Sequence, residues 1–251
     1  MALGSRFRGN DEEGDCARNS LKVRAYSPKS AVTGFGLVRI KLAALLARAT
    51  SPRGTAMFND ASTPLSLLQT RRSGKPRDMG LPGPSRDQLM EMIAIAARTP
   101  DHGKLAPWRF VIVPGDARDA FAAGLTRALK AERPGASDKE IAAVVDDFAY
   151  QAPALVVVLS APVEQAKIPL WEQQLSAGAA AMNLLHAAHA MGFVGGWLTG
   201  WAAYSDQVRD LFGTAPQRIA GFVFIGSPTR ELEERPRPTL SEIVQLWNPR
   251  G

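Results

Sequence analysis

The order of apolar patterns along the chain predicts an α+β fold in three layers, with helices covering both faces of a mixed central β-sheet. Three observations lead there. The run at 154–161, ALVVVLSA, is apolar at consecutive positions, which suits a strand with no solvent-facing side. At least four strand-like segments alternate irregularly with helical ones, and two helices are consecutive, so a repeating βαβ barrel does not fit. A chain of 251 residues with 45% hydrophobic content supports one substantial core, and no internal repeat suggests a solenoid.

The elements follow in order from residue 57. Thr63 and Pro64 supply an N-cap and a first-turn proline for a helix reaching about Arg71. Ser85 and Gln88 form a capping box that opens a second helix, with Leu89, Met92, Ile93 and Ala96 on one face and Pro100 beyond its end. The β-branched and aromatic run 108–113, WRFVIV, reads as a strand. Helices are expected over 117–132 and, from the Ser137/Glu140 capping box, to about Tyr150. After the buried strand comes the longest helix, 171–191, whose centre SAGAAAMNLLHAAHA is dominated by small residues that allow a second helix or subunit to approach. A strand at 193–199, a short helix from Ser205, a strand at 219–225 and a proline-punctuated tail with a brief helix at 240–247 complete the pattern.

The net charge of +6 is not spread over this body. Residues 1–56 hold ten Lys/Arg and four Asp/Glu, whereas the remainder holds twenty of each. A docked nucleic acid requires basic groups concentrated on the folded surface, so no nucleic-acid partner is expected. The N-terminal 56 residues are irregular in pattern, apart from amphipathic spacing at 37–49, and read as disorder or as a spurious extension upstream of Met57. Their Arg-rich character also fits a targeting segment, against which the acidic cluster Asp11 to Asp15 argues. The lone Cys16 precludes an intrachain disulfide framework, and no apolar run approaches the roughly 20 residues that cross a bilayer. A cytoplasmic protein without a membrane partner is the expectation.

Several catalytic classes lack their residues. There is no G-x-x-x-x-G-K-[ST] phosphate loop, no G-x-G-x-x-G after a strand and no G-x-S-x-G elbow. His186 and His189 share a helix face, but no third metal ligand is evident, and they read as histidines packed or hydrogen-bonded within the helices.

Three clusters do carry chemistry. Arg71-Arg72-Ser73-Gly74-Lys75 gathers cations and a hydroxyl around a glycine, either as an anion site or as a complement to a helix C-terminus. The segment 98–108 places Arg98 in a last helical turn and His102 in a proline-bounded loop, as ligand contacts or as an ordinary turn. In 192–200, GFVGGWLTG, four glycines interrupt a strand and admit either a flat ligand or another backbone.

In this order the clusters resemble the nitroreductase family of FMN enzymes. The likeness is nearest to the short bacterial subgroup with R-x-P-D-H-x-x-x-x-P-W, here 98–108, and W-E-x-x-x-S-A-G, here 171–178, and it spans about Leu65 to Trp247. The resemblance implies an intertwined homodimer with FMN held between subunits, transferring hydride from NADH or NADPH through the flavin to a small acceptor such as a nitroaromatic, quinone or activated alkene. Carried over by position, Arg71, Arg72 and Ser73 meet the phosphate and ribityl chain, Arg98 and His102 reach across from the other protomer, and Trp197, Leu198 and Thr199 line the cofactor. Lys75 matches a basic residue beside the flavin pyrimidine, and 187–192 matches a segment linked to nicotinamide binding. Relatives often have arginine where Leu198 stands, so Arg235 or Arg237 of the tail is a candidate replacement. The same fold also accommodates reductive dehalogenation, flavin fragmentation or non-catalytic flavin binding.

Overall fold

The structure, a computed structural model, describes residues 58–249, so the amphipathic stretch 37–49 and the basic segment 1–56 lie outside the described residues. In chain order the elements are α1 (Pro64–Thr70), β1 (Met79–Gly80), α2 (Arg86–Ala96), β2 (Trp108–Val113), α3 (Arg118–Glu132), α4 (Asp138–Phe148), β3 (Ala154–Ser160), α5 (Leu170–Ala190), β4 (Val194–Leu198), α6 (Gly200–Tyr204), α7 (Asp206–Arg209), β5 (Arg218–Pro228) and α8 (Leu240–Ile243). The caps read from the sequence start their helices: Thr63 accepts from the Ser66 N–H at 3.0 Å, and Ser85/Gln88 and Ser137/Glu140 close reciprocal boxes.

β3 lies between β2 and β5, and both β4 and β1 pair along the other edge of β5. Every pairing among the described residues is antiparallel, so the mixed sheet expected from the sequence is corrected. That expectation rested on helices intervening between strands, a connection common between parallel neighbours. Here the last strand, β5, instead inserts between β3 and β4 and runs against both.

The three layers follow from two-residue alternation along β3 and β5. Leu155, Val157, Leu159, Phe222 and Phe224 face one core with α3, α4, α6 and α7. Ala154, Val156, Val158, Val223 and Ile225 face a second core with α2 and α5. Both faces of the sheet are thus dry, which is why ALVVVLS shows no polar alternation. Phe222 centres the first core, its ring 5.0 Å from Phe148, 6.1 Å from Phe121 and 6.5 Å from Phe212. The second core lets α5 press directly on β4. A Cβ on Gly195 would lie 2.6 Å from Leu185 Cδ2, so any side chain there would force that leucine to move.

The tail differs from expectation. Its helix is one turn, Leu240–Ile243, rather than 240–247, and Val244 is extended. The Thr239/Glu242 capping box nucleates the turn, but Ile243, Val244, Leu246 and Trp247 are exposed, so no packing propagates it. Two short elements had no sequence signal: β1, only two residues, and α6, which begins on Gly200.

Candidate functional site

Where α1 ends, the chain turns onto the free edge of β4 and creates a cleft of about 380 Å³. Arg71, Arg72 and Ser73 form one wall, and Trp197, Leu198 and Thr199 at the end of β4 form another. Met182 and Leu185 of α5 contribute apolar floor, and Arg235 and Arg237 of the tail close the side. The two sequence clusters that lie 124 positions apart at Ser73 and Trp197 therefore meet in one site.

Backbone pairing explains the approach. The Gly74 N–H donates to the Gly195 carbonyl at 3.2 Å. A Cβ on Gly74 would lie 2.5 Å from Val194 Cγ1, and one on Gly196 would lie 2.7 Å from the Gly74 carbonyl, so the contact needs glycine on both sides. Asn59 brackets the loop by accepting from the Arg72 N–H at 2.8 Å and donating to the Arg72 carbonyl at 3.1 Å. No sequence motif marked Asn59, because it acts on backbone 13 residues away.

Within the wall, Arg71 Nη1 donates to Ser73 Oγ at 3.2 Å, and Arg72 Nε donates to the Glu233 carbonyl at 2.5 Å, which ties the tail to the loop. Burial pushes the Arg71 guanidinium below its ordinary pKa, and the charges of Arg237 and Arg72 add to the shift. Four guanidinium groups thus surround the cleft, and no carboxylate lines it. The only ion pair at these four groups among the described residues is Arg237 with Glu234, at 3.8 Å. Such a concentration of like charge is chemically suited to holding an anion. Trp197 donates from Nε1 to the Ala220 carbonyl at 3.0 Å and lies across Gly221, where an added Cβ would overlap the indole.

Arg98 and His102 do not line this cleft. Arg98 is exposed at the end of α2, and His102 Nδ1 is 2.7 Å from Glu172 Oε2 at the start of α5. The loop that carries His102 has Gly103, Lys104 and Ala106 at φ of 80°, 58° and 47°, and Asp101 Oδ2 holds it by accepting from the Ala106 N–H at 2.6 Å. Two non-glycine residues in the left-handed region mark a strained, preformed loop. Trp108 Nε1 donates to Ser176 Oγ at 3.2 Å, and that hydroxyl donates to the Pro100 carbonyl at 2.9 Å. The two strings read separately in the sequence are therefore the two halves of one joint. Lys75 also lies outside the cleft lining, in an exposed ion pair with Glu233 at 3.7 Å.

Three larger hollows lack this charge pattern, among them one of about 400 Å³ around Val111, Phe121 and Phe212. Another, of about 450 Å³, is mainly apolar around Leu89, Met90 and Ile112, and one of about 610 Å³ mixes Glu164 and Asp206 with Lys167, Arg209 and Arg218. Among the described residues no cluster of three or more His, Cys, Asp or Glu is arranged to hold a metal, and no helix is long and apolar enough to cross a membrane.

The family model described as the nitroreductase family matches residues 69–227, a segment that contains the arginine loop, both halves of the joint and the Trp197 strand. The chain belongs to the nitroreductase family. A protein of Escherichia coli (strain K12) that carries the name NAD(P)H nitroreductase is 36% identical over 165 residues, covering 65% of this chain and 87% of its own. A nitroreductase-like family protein from Bacillus cereus shares the fold with a TM-score of 0.64 at 22% identity, over 74% of this chain and 96% of its own. A nitroreductase from Bacteroides fragilis solved with bound FMN shares it with a TM-score of 0.55 at 17% identity, over 73% and 98% of the two chains.

Proposed function

We propose that this nitroreductase-family protein binds FMN and, with NADH or NADPH as donor, reduces a small acceptor such as a nitroaromatic, a quinone or an activated alkene. The observation that carries the reading is the cleft itself, in which four guanidinium groups and the Ser73 hydroxyl converge with no carboxylate in the lining. A phosphate monoester, near −2 in charge at neutral pH, matches that donor set. The volume of about 380 Å³ lies in the range of small-ligand sites. Arg71, Arg72 and Ser73 would hold the phosphate and ribityl chain, and Trp197, Leu198 and Thr199 would flank the ring. Leu198 cannot donate a hydrogen bond from its side chain, and Arg235 and Arg237 supply the cationic groups instead.

When bound, FMN supplies the two-electron chemistry. The chain's residues neutralise the phosphate, orient the ring and exclude water. The lining includes no carboxylate or histidine side chain, so this wall contributes binding and field rather than proton transfer.

One protomer supplies only this wall. We place Arg98 and His102 of a second copy opposite it, in a homodimer with two such sites. Support comes from the preformed loop that carries His102 away from its own cleft, and from exposed apolar side chains on α5 and the tail, with Trp171 67% and Trp247 85% exposed. We further place the catalytic domain from about residue 57 onward, in the cytoplasm, with no nucleic-acid partner. The test is the purified full chain. A visible flavin spectrum that bleaches on anaerobic addition of NADH or NADPH, and a binding loss of tenfold or more in Arg71→Ala, are expected. A colourless monomer that takes up no added FMN would overturn the proposal.

A further inference from the structure

β4 has a single sheet neighbour, β5, and at Gly195, which sits opposite Ile225, the peptide groups of the free edge need partners from outside the sheet. Both are found. The Gly195 carbonyl accepts from the Gly74 N–H at 3.2 Å, and the Gly195 N–H donates to Nε2 of His189 at 3.1 Å. His189 is fully buried on α5, one helical turn beyond Leu185, which lines the cleft. Because Nε2 accepts, the proton of the neutral ring is on Nδ1, and Nδ1 is buried with no hydrogen-bond partner. An imidazole with an orphaned N–H is a costlier core residue than leucine, so what it contributes must lie at Nε2.

We infer that His189 is a positioning residue for the anion site: its unprotonated Nε2 holds Gly195, and through Gly195 it holds Gly74 and the run 71–73. For the identity of the ligand this inference rests on the FMN reading above. Two consequences follow from the chemistry of the ring. Removing the acceptor leaves a buried backbone N–H unpaired at the point where the loop is hung on the strand. Protonating it turns Nε2 into a donor facing another donor and sets a new cation near Arg71. The charged and titratable groups that reach His189 are Arg71, from the loop after α1, and His186, one turn earlier on α5. Burial first, and the Arg71 charge second, keep the ring neutral down to a pKa of about 4. The sequence reads His189 as packed or hydrogen-bonded within the helices, and its spacing alone holds no sign of the strand backbone it binds.

The experiment compares the full-length protein with His189→Leu and His189→Gln, the amide oxygen of glutamine reaching roughly where Nε2 lies. Dissociation constants for FMN are measured from neutral pH to about pH 4, and amide hydrogen exchange is measured at Gly74 and Gly195 without FMN. The leucine variant is expected to bind FMN about tenfold more weakly at neutral pH, one lost backbone hydrogen bond, and to exchange both amides faster. The glutamine variant is expected to restore affinity to within about threefold and to lose the acid-dependent step that wild type shows near pH 4, below the titration of the FMN phosphate itself. The inference is overturned if the leucine variant matches wild type in affinity and exchange, if the folded glutamine variant fails to restore either, or if it keeps the acid step. Should wild type itself take up no FMN, the cofactor reading fails separately, and exchange alone decides whether His189 positions the loop.

Discussion

Gly221→Ala probes the cleft wall without touching a charged group. The added Cβ would overlap the Trp197 indole and lie 3.1 Å from the Leu198 carbonyl, on the strand directly beneath the site. Gly221 is held by pairing with Val158 of the buried strand β3, whereas Trp197 is 37% exposed and can swing outward. Swinging breaks the 3.0 Å hydrogen bond to the Ala220 carbonyl, about 1 kcal/mol, and crowding adds about 1–3 kcal/mol. The total, taken near about 2 kcal/mol because the indole escapes to solvent, corresponds to a fall in Tm of about 4–8 °C for a domain of this size. Thermal melts of Gly221→Ala, Trp197→Ala and the double variant separate the contributions. If the indole is what the methyl meets, the alanine at 221 is nearly neutral once the ring is gone, giving a coupling of at least about 1 kcal/mol. An equal cost with and without the ring would refute the reasoning, as would a Gly221→Ala protein that melts like wild type.

Other expectations rest on separate features. Stability should fall as pH drops from about 6.5 to about 4: the His189 pKa is 6.5 as an exposed group and about 4 in the fold, so the unfolded chain takes up the proton first. The loss reaches about 3 kcal/mol at the lower end, and urea titrations of wild type and His189→Gln should diverge over that window. Phe222→Ala empties the centre of a four-phenylalanine cluster and should cost about 3–5 kcal/mol by denaturant titration, with unchanged m-value if the sheet survives. Lys75→Met should lower the reduction potential of bound FMN if the Lys75 charge reaches the ring, and Glu233→Gln, which frees that lysine from its 3.7 Å pair, should raise it. Unchanged potentials in both variants would remove Lys75 from the field of the cofactor.

Local rules made much of the fold legible. Thr63, Ser85 and Ser137 cap the helices that their side chains announced, and the unbroken apolar run of β3 reported two covered faces. Strand direction was hidden because a helix between two strands does not reveal on which side of the sheet order the next strand inserts. At the site, Arg71 and Trp197 were individually visible as a cation and a glycine-flanked aromatic, and only the fold brings them into one cleft. Asn59 and His189 were opaque for a shared reason: each serves a backbone group, Arg72 in one case and Gly195 in the other, and the residue owning that group leaves no mark on its partner. Arg98 and His102 were legible as a motif, yet within one protomer the motif resolves into a joint with Glu172 and Ser176.

That joint makes α5 a beam shared by the His102 loop and the arginine cleft. Its 21 residues extend about 30 Å; Glu172 and Ser176 near one end clamp the His102 loop, while Met182, Leu185 and His189 toward the other support the arginine cleft. The spacing between loop and cleft is therefore a fixed length of rigid helix rather than a hinge. A one-residue insertion near Gly178 would rotate one end against the other by about 100° and misregister the loop against the cleft.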